Sequence, residues 1–243
     1  MTKQRLQKVL ASAGVASRRR SEELILEGQV RVNSQVVENI PFFVDPEKDK
    51  ITVFGRRIQP QQKVYYILNK PKNVICTSSD PQGRRTALDL IGAKQRLFCI
   101  GRLDIETTGA IIITNDCELA NKLTHPRFEI AKTYLARVRG RVSTEDVDKL
   151  RKGIHLAERK TAAAMIKVLR QGHTESLIQI TLHQGINRQV RRMFAKINHK
   201  VLSLKRTHIG KISVHGLGIG RYRQLTKSEV AYLQKITKKA SAI

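Results

Sequence analysis

The chain of 243 residues carries 46 lysines and arginines against 20 aspartates and glutamates, which gives a formal net charge of +26. A positive surplus of this size favours a polyanionic partner such as nucleic acid, and no apolar run approaches the roughly 20 residues that a membrane-spanning helix needs. The three cysteines are odd in number and widely spaced, which excludes a disulfide framework and paired zinc ligands, so we expect reduced thiols in a cytoplasmic protein without a signal peptide.

The first 60 residues predict a small α/β domain. Apolar residues at helical spacing over 6–13 indicate a short helix that Gly14 ends. Ser17 is placed to cap a second helix, which Gly28 closes. Two short segments of alternating valine or isoleucine then predict strands. The polar stretch 57–63 contains a proline and indicates a linker, so we place a domain boundary near residue 60.

Residues 61–243 predict an α+β domain. Six segments rich in β-branched and aromatic residues are predicted as strands: 64–68, 74–77, 97–100, 109–114, 133–139 and 176–182. Four segments are predicted as helices: 118–123, 143–152, 187–198 and 227–238. Ser143 and Thr226 begin capping boxes for two of them. Because strands and helices do not alternate strictly, the pattern favours a mainly antiparallel mixed sheet flanked by helices over a doubly wound parallel sheet.

The positive charge is concentrated in the last quarter of the chain. Residues 181–243 hold 14 basic residues and a single acidic one. The same segment contains large apolar residues such as Met193 and Phe194, which a disordered basic tail would lack. We therefore expect this charge to lie on an ordered surface.

Several common cofactor motifs are missing from the sequence. It contains no phosphate-binding loop of the G-x-x-x-x-G-K type and no H-E-x-x-H pair, and the glycine-rich stretch 216–220 precedes no predicted helix. The histidines are scattered and suggest no metal-ligand pair. We expect neither a metal nor an organic cofactor, so the chemistry would rely on side chains alone.

The segment 101–109, GRLDIETTG, stands out as a candidate site. Two glycines flank a tight connection between predicted strands that carries Arg102, Asp104 and Glu106. An aspartate in such a position is commonly the first residue of a β-turn that bonds the local backbone. The neighbouring arginine, the basic character of the chain and the position at a strand end favour a functional acid.

Five motifs resemble those of one known family, the ribosomal RNA pseudouridine synthases that include the type A enzymes of the small ribosomal subunit and the type B enzymes of the large one. GRLDIETTG matches the GRLDxxTxG signature of this family. LNKPKNVICT, TNDCELANKLTHP, KTYLARVRG and GINRQVRRMF match further motifs in family order, at 68–77, 114–126, 132–140 and 185–194. The segment RLQKVLASAGVASRRRSEELILEGQVRVN resembles an S4-type RNA-binding domain. The resemblance covers nearly the whole chain.

The resemblance implies a cofactor-free isomerisation of uridine to pseudouridine in ribosomal RNA. Asp104 matches the essential aspartate, which attacks the ribose C1′ or removes the 2′ proton while the uracil detaches, rotates and rejoins through C5. Tyr134 matches the tyrosine that stacks on the target base, and Arg191 matches the basic residue that pairs with the aspartate. From the residues alone, Tyr134 is by default a half-buried strand aromatic, and Arg191 can also belong to the solvated face of a helix.

The RNA contacts that we assign divide between the two domains. Arg102 matches the arginine that enters the RNA stack as the target base leaves it. We further assign to RNA contact Lys132, Arg188, Gln189 and Arg192 near the catalytic segment and Arg5, Lys8, Arg18, Arg19 and Arg20 in the S4-like domain. The basic N-terminal stretch is also compatible with an unstructured arm, but its helical apolar spacing favours a folded module that grips structured RNA by shape and phosphate contacts.

One position departs from the family pattern. The family often has glycine in its NKPxG segment, where this chain has Asn73. Asparagine tolerates positive φ better than most residues, so we expect the turn to survive.

The sequence thus predicts an S4-like domain at 1–60 and a pseudouridine synthase domain at 61–243, closest to the type B branch of the family. The expected substrate is a stem-loop of 23S-type ribosomal RNA, free or within a precursor particle, and 16S RNA is the alternative. A non-catalytic S4-type ribosome-associated protein leaves Asp104, Tyr134 and Arg191 unexplained, and the intact GRLD and QVRRM segments disfavour an inactive family member. A DNA binder would need a dimerisation element that is not evident. We expect a monomer with no DNA and no membrane partner.

Overall fold

The structure is a computed structural model that describes residues 3–93 and 95–239, with side chains described through residue 238. The chain divides into two compact units. The first contains the described residues up to Val64 together with those of the short stretches 93–96 and 115–117. The second contains the remainder.

The first unit combines two helices with short strands. Its elements in chain order are β1 (Gln4–Arg5), α1 (Leu6–Ser12), α2 (Arg18–Leu26), β2 (Val30–Val32), β3 (Gln35–Val36), β4 (Phe43–Val44), β5 (Ile51–Val53) and β6 (Arg56–Arg57). β1 pairs with β4, and the other strands form a sheet in the order β3-β2-β5-β6 with antiparallel neighbours. Leu6, Leu10 and Ile25 from the helices pack with Val30 and Val44 in a fully buried core.

The predicted start of α2 is confirmed. The Ser17 side chain accepts a hydrogen bond from the backbone N–H of Arg20, so it satisfies one of the free N–H groups at the helix start. The predicted linker begins too early, because Arg57 lies in β6, where it pairs with Thr52.

The second unit is larger and is built on one mixed sheet. Its elements are β7 (Tyr65–Lys70), β8 (Phe98–Ile100), β9 (Thr108–Thr114), α3 (Cys117–Thr124), a 3-10 turn (Pro126–Phe128), β10 (Lys132–Arg139), α4 (Thr144–Lys152), β11 (Met165–Gln171), β12 (Glu175–Leu182), α5 (Gln189–Ala195), β13 (Val201–Ile209), β14 (Ile212–Ser213), β15 (Tyr222–Gln224) and α6 (Lys227–Lys239).

The strands of the second unit are ordered β11-β12-β10-β13-β9-β7-β15, with β14 paired to β13 and β8 paired to β9. In the described part of the chain, all these pairs are antiparallel except β13 with β9. The expected α+β class with a mainly antiparallel mixed sheet is therefore confirmed.

Helices cover the sheet through two hydrophobic clusters. Leu150 of α4 and Phe194 of α5 pack with Ala136 and Ile178 of the sheet in one fully buried cluster. A second cluster joins α3 and α6 to β7 and β9, with Leu233 fully buried. The helices thus bury one apolar side each, which is the main source of helix stability in a folded domain.

Both predicted capping boxes are present. Ser143 and Asp146 exchange side-chain-to-backbone hydrogen bonds at the start of α4. Thr226 and Glu229 do the same before α6. Each box satisfies two N–H groups that the helix itself leaves free.

Two parts of the sheet differ from the sequence prediction. The predicted strand 74–77 is wrong: only Ile75 forms a bridge, to Thr86. The sequence pattern predicts neither β11 nor β13, although β13 lies inside the sheet. The apolar positions of β13 are separated by Lys205, Arg206 and His208, and these polar residues disguise the alternation of the strand.

No helix in the described ranges is both long and apolar enough to cross a membrane.

Candidate active site

Asp104 lies in the connection between β8 and β9, at the start of a tight turn. The Thr107 backbone N–H donates to the Asp104 backbone carbonyl at 3.0 Å, which closes a β-turn. The β-turn that the sequence offered as the alternative to a functional acid is thus present in its backbone, and the Asp104 side chain remains 32% exposed and lines a cavity. The turn fixes the backbone of the acid and leaves its carboxylate available to a ligand.

The end of β7 and the segment that follows it hold this turn in place. Lys70 is fully buried, and its Nζ donates to the carbonyls of Val74 at 2.7 Å and Ile105 at 3.4 Å. Burial lowers the pKa of Lys70, an effect that the charges of Glu106 and Asp104 partly offset. Asn73 donates its backbone N–H to the Ile105 carbonyl at 3.0 Å. Both contacts hold the residue next to Asp104.

Of the two residues that hold the Asp104 turn, Asn73 is anticipated from the sequence but Lys70 is not. Asn73 has a φ of +60°, so the asparagine adopts the positive φ expected where the family often has glycine. The sequence motifs assign no role to Lys70. The available signal is a lysine at the end of the strand pattern YYILNK, which is mainly aromatic and aliphatic.

The cavity beside Asp104 has a volume of about 500 Å³, within the range of small-ligand pockets. It lies wholly within the second unit. Predicted site residues that line it are Arg102, Asp104, Lys132, Tyr134, Arg188 and Gln189. The fold therefore gathers residues from separate motifs of the sequence around one cavity large enough for a nucleoside.

The arginine nearest to Asp104 is not the predicted one. Arg188 Nη1 lies 3.9 Å from Asp104 Oδ2, whereas Arg191 Nη1 donates to the Val201 carbonyl at 3.2 Å. Arg188 precedes α5 and has a φ of +49°, so it lies outside the helix and can turn to the aspartate. Among the described residues, the ion pair within 4.0 Å is thus with Arg188, which corrects the expected pairing with Arg191.

Arg191 nevertheless contributes positive charge to the same site. Burial and the neighbouring Arg188 lower the pKa of Arg191, while the charges of Asp104 and Glu106 oppose that change. Its guanidinium therefore interacts electrostatically with Asp104 without a direct salt bridge. Two arginines, one 3.9 Å from the carboxylate and one further away, thus place positive charge beside Asp104.

Tyr134 is half-buried on β10 and packs at the edge of a hydrophobic cluster while lining the cavity. The ring is thus a strand aromatic, and it also faces the cavity, where stacking on the target base stays a prediction. Lys132, two residues earlier, has its pKa lowered to about 8 by burial and by Arg206. Its Nζ donates to the Ile130 carbonyl at 3.0 Å.

Two of the residues assigned to RNA contact are less available than expected. Gln189 is 5% exposed, and its Oε1 accepts a hydrogen bond from the Ile186 backbone N–H. Arg192 forms a two-pronged ion pair with Glu158, with Nη1 and Oε1 2.6 Å apart. This hydrogen bond lowers the pKa of Glu158 to about 2. A phosphate group would have to displace Glu158 to reach Arg192.

The basic residues assigned in the first unit lie on α1, α2 and β1. Arg5, Arg18 and Arg19 are exposed, and Lys8 is half-buried. Arg20 is exposed too, but it bridges Glu23 and Glu27 of the same helix. The structure therefore leaves Arg5, Arg18 and Arg19 as the more accessible cations of this set.

Removing the carboxylate of Glu158 should strengthen binding of polyanions. In Glu158→Gln, Arg192 is free to pair with a phosphate, so we expect tighter RNA binding and a log K against log salt slope steeper by about 0.9. Filter binding across a range of salt concentrations measures both. Glu145→Gln, which removes an exposed carboxylate from the first turn of α4, is the matched control and should leave the slope unchanged. Equal slopes in the two variants would show that Arg192 does not reach the RNA.

Among the described residues, no three His, Cys, Asp or Glu side chains are grouped so as to hold a metal ion.

Comparison with known proteins identifies the class to which this fold and site belong. Residues 64–196 match the family model of RNA pseudouridylate synthases, and residues 4–51 match the S4 domain. The chain is 46% identical, over 96% of both chains, to the ribosomal large subunit pseudouridine synthase B of Bacillus subtilis. It is 41% identical to an uncharacterized RNA pseudouridine synthase of Aquifex aeolicus over 97% of this chain and 95% of that one. The chain belongs to the RNA pseudouridylate synthase family.

The fold agrees with this membership. A crystal structure of a pseudouridylate synthase superposes with a TM-score of 0.70 at 28% identity, covering 94% of this chain and 99% of that chain. The predicted S4 domain and pseudouridine synthase fold are thus both confirmed.

Proposed function

We propose that this protein isomerises a uridine of 23S-type ribosomal RNA, the RNA of the large ribosomal particle, to pseudouridine in the cytoplasm, with Asp104 as its catalytic residue. The observation that supports it most is the position of Asp104. Its carboxylate faces a cavity of about 500 Å³ and lies 3.9 Å from Arg188, with Tyr134 on the cavity wall. The choice of 23S-type RNA rests on the similarity to the Bacillus subtilis enzyme. A monomer is the simplest form consistent with a site built by one unit.

The chemistry can follow either of two routes from Asp104. In the first, a carboxylate oxygen bonds to C1′ as the bond between C1′ and N1 breaks. In the second, the carboxylate removes the 2′ proton, and the electron pair of that bond expels the base. Both leave the N1 electron pair on the uracil. The uracil then turns and bonds to C1′ through C5. On the first route the bond between Asp104 and C1′ breaks as this bond forms; on the second, Asp104 returns its proton to C2′ as the double bond between C1′ and C2′ is lost. C5 then loses its proton, and N1 gains one.

The surrounding side chains prepare this reaction. Arg188 and Arg191 place positive charge beside the carboxylate that attacks C1′ or removes the proton. Tyr134 supports the flat face of the detached base during its rotation. Arg102, exposed at the cavity, fills the gap left in the RNA stack. In the S4 domain, Arg5, Lys8, Arg18 and Arg19 add phosphate contacts that hold a structured stem-loop.

Tritium release tests the proposal, because only substitution at C5 expels that hydrogen. Unmodified 23S and 16S RNA are transcribed with uridine tritiated at C5 and incubated with the protein, as free RNA and as precursor particles. We expect release from 23S RNA and little from 16S RNA. RNA tritiated at C5 of cytidine controls for exchange. Release from 16S RNA alone would show that 16S RNA, and not 23S RNA, is the substrate. No release from any preparation would contradict the proposed activity.

A further inference from the structure

A group of cations lies on the sheet face that forms the cavity floor. On β10 and β13, Tyr134 is directly opposite Arg206, and Lys132 is two residues before Tyr134. Opposite residues of antiparallel strands share a face, as do residues two apart on one strand. The side chains of Lys132, Tyr134 and Arg206 therefore point to the same side, and all three line the cavity.

Arg206 is a buried cation with few partners. It is 3% exposed, and its Nε donates to the Ala110 carbonyl at 2.6 Å. Nη2 is buried without a hydrogen-bond partner, and no carboxylate among the described residues lies within 4.0 Å of the guanidinium. Burying an arginine without a counter-ion is unfavourable, and proteins tolerate it where a ligand supplies the missing charge. In contrast, Arg223 in the same sheet is paired with Glu229 at 2.7 Å.

Lys132 adds a second positive charge beside Arg206. Its Nζ has a backbone carbonyl as its hydrogen-bond partner, and the charge of Arg206 helps to lower its pKa. Two like charges on one cavity floor repel each other. An anion bound between them would relieve the repulsion and satisfy the free N–H groups of both.

Asp104 is not that anion, because its carboxylate is directed to Arg188. RNA phosphates are also poorly placed, since the polymer backbone stays outside while the guanidinium of Arg206 is almost completely buried. The reaction itself produces the required charge. Both routes from Asp104 leave an electron pair on the detached uracil, which becomes a planar anion with charge shared by N1, O2 and O4.

We propose that Arg206 and Lys132 form an anion subsite that binds the detached uracil and stabilises its negative charge. The inference rests on the proposed function and assigns catalytic roles to a residue outside the recognised motifs and to the lysine of KTY. Tyr134 holds the face of the ring, while the two cations bind its edge. Because the charge develops only as the bond between C1′ and N1 breaks, the subsite accelerates the reaction more than it strengthens RNA binding.

Single-turnover tritium release, measured together with RNA affinity, tests whether the subsite acts on the reaction rate and not on RNA binding. In Arg206→Met we expect the rate constant to fall about 100- to 1,000-fold, as when one donor to a developing anion is removed, while the Kd for RNA changes less than about threefold. Lys132→Met should show the same pattern with a smaller loss. Arg206→Lys and Lys132→Arg keep the charges and should recover part of the rate.

Lys205→Met is the matched control. Lys205 precedes Arg206 on β13, so its side chain points to the opposite face, and the same charge is lost without a change in the cavity. It should retain the wild-type rate. Thermal melting followed by circular dichroism verifies that each variant is folded. If Arg206→Met does not fold, the proposal is tested with Arg206→Lys, Lys132→Met and Lys132→Arg.

Three results would overturn the subsite. One is a wild-type rate in folded Arg206→Met or Lys132→Met. Another is weaker RNA binding with an unchanged rate, which would assign both cations to phosphate contacts. The third is an equal loss in Arg206→Met and folded Arg206→Lys, since charge would then not matter. If the wild type itself releases no tritium, the proposed function is wrong and the subsite has no reaction to act on. This result differs from the other three, in which the wild type is active.

Discussion

Asp104→Asn should abolish tritium release while leaving RNA affinity nearly intact. The amide can neither bond to C1′ as a nucleophile nor remove the 2′ proton, so both routes are blocked. We expect a loss of about 10⁴-fold or more, the size typical when a catalytic group of this kind is removed. RNA affinity should stay the same or rise slightly, because the change removes a negative charge from a cavity that contains Arg188 and Arg191. Single-turnover tritium release and filter binding measure the two quantities.

Glu106→Gln is the matched control for this variant. Glu106 lies in the same turn, two residues after Asp104, and its exposed carboxylate does not line the cavity. We expect its rate to remain within about threefold of the wild type. Neither variant should be less stable, because the pair between Asp104 and Arg188 is partly exposed and such pairs contribute about 0–1 kcal/mol. Turnover by Asp104→Asn at the wild-type rate would remove Asp104 from the mechanism.

The parts of the fold that depend on local interactions were predictable from the sequence. The capping boxes of α4 and α6 and the cap of α2 each depend on residues three positions apart, and all three are present. The turn at Asn73 needs only a residue that tolerates positive φ. In these places the nearest neighbours in sequence contain all the necessary information.

The arrangement of charges in the site could not be predicted from the sequence, because these charges lie on different strands and helices that only the folded chain brings together. Arg206 reaches the cavity through the parallel pairing of β13 with β9, a contact across almost a hundred residues of chain. Because Arg206 interrupts an apolar alternation, the sequence pattern does not reveal its strand. The choice between Arg188 and Arg191 likewise depends on where α5 begins. A helical pattern cannot predict this, because helix ends are uncertain by one or two residues.

The glycine that closes the GRLDIETTG segment connects the fold to the site. Gly109 on β9 pairs with Lys70 on β7 and with Arg206 on β13. It therefore lies between the lysine that holds the Asp104 turn and the arginine of the proposed anion subsite. Its φ is +105°, and a Cβ placed on it would lie 2.1 Å from the Arg206 backbone oxygen. No side chain fits between these strands.

Gly109→Ala should therefore destabilise the protein strongly. The positive φ costs an alanine about 1–3 kcal/mol, and forcing β9 and β13 apart costs about 1–3 kcal/mol more. We expect the free energy of unfolding to fall by about 2–6 kcal/mol in urea titrations followed by circular dichroism. The same displacement should move Asp104 and Arg206 apart, so tritium release should fall even at temperatures where the variant is folded.

Gly83→Ala separates the two causes of this loss. Gly83 also has a positive φ, +67°, but nothing lies within 4 Å of a Cβ placed on it. Its substitution carries the backbone strain without the clash, so we expect about 1 kcal/mol of destabilisation and unchanged activity. A similar loss of stability in both variants would mean that the close approach of β9 to β13 relaxes easily. Glycine would then be required at position 109 only for its positive φ, and the pairing of β9 with β13 beside Arg206 would accommodate a side chain.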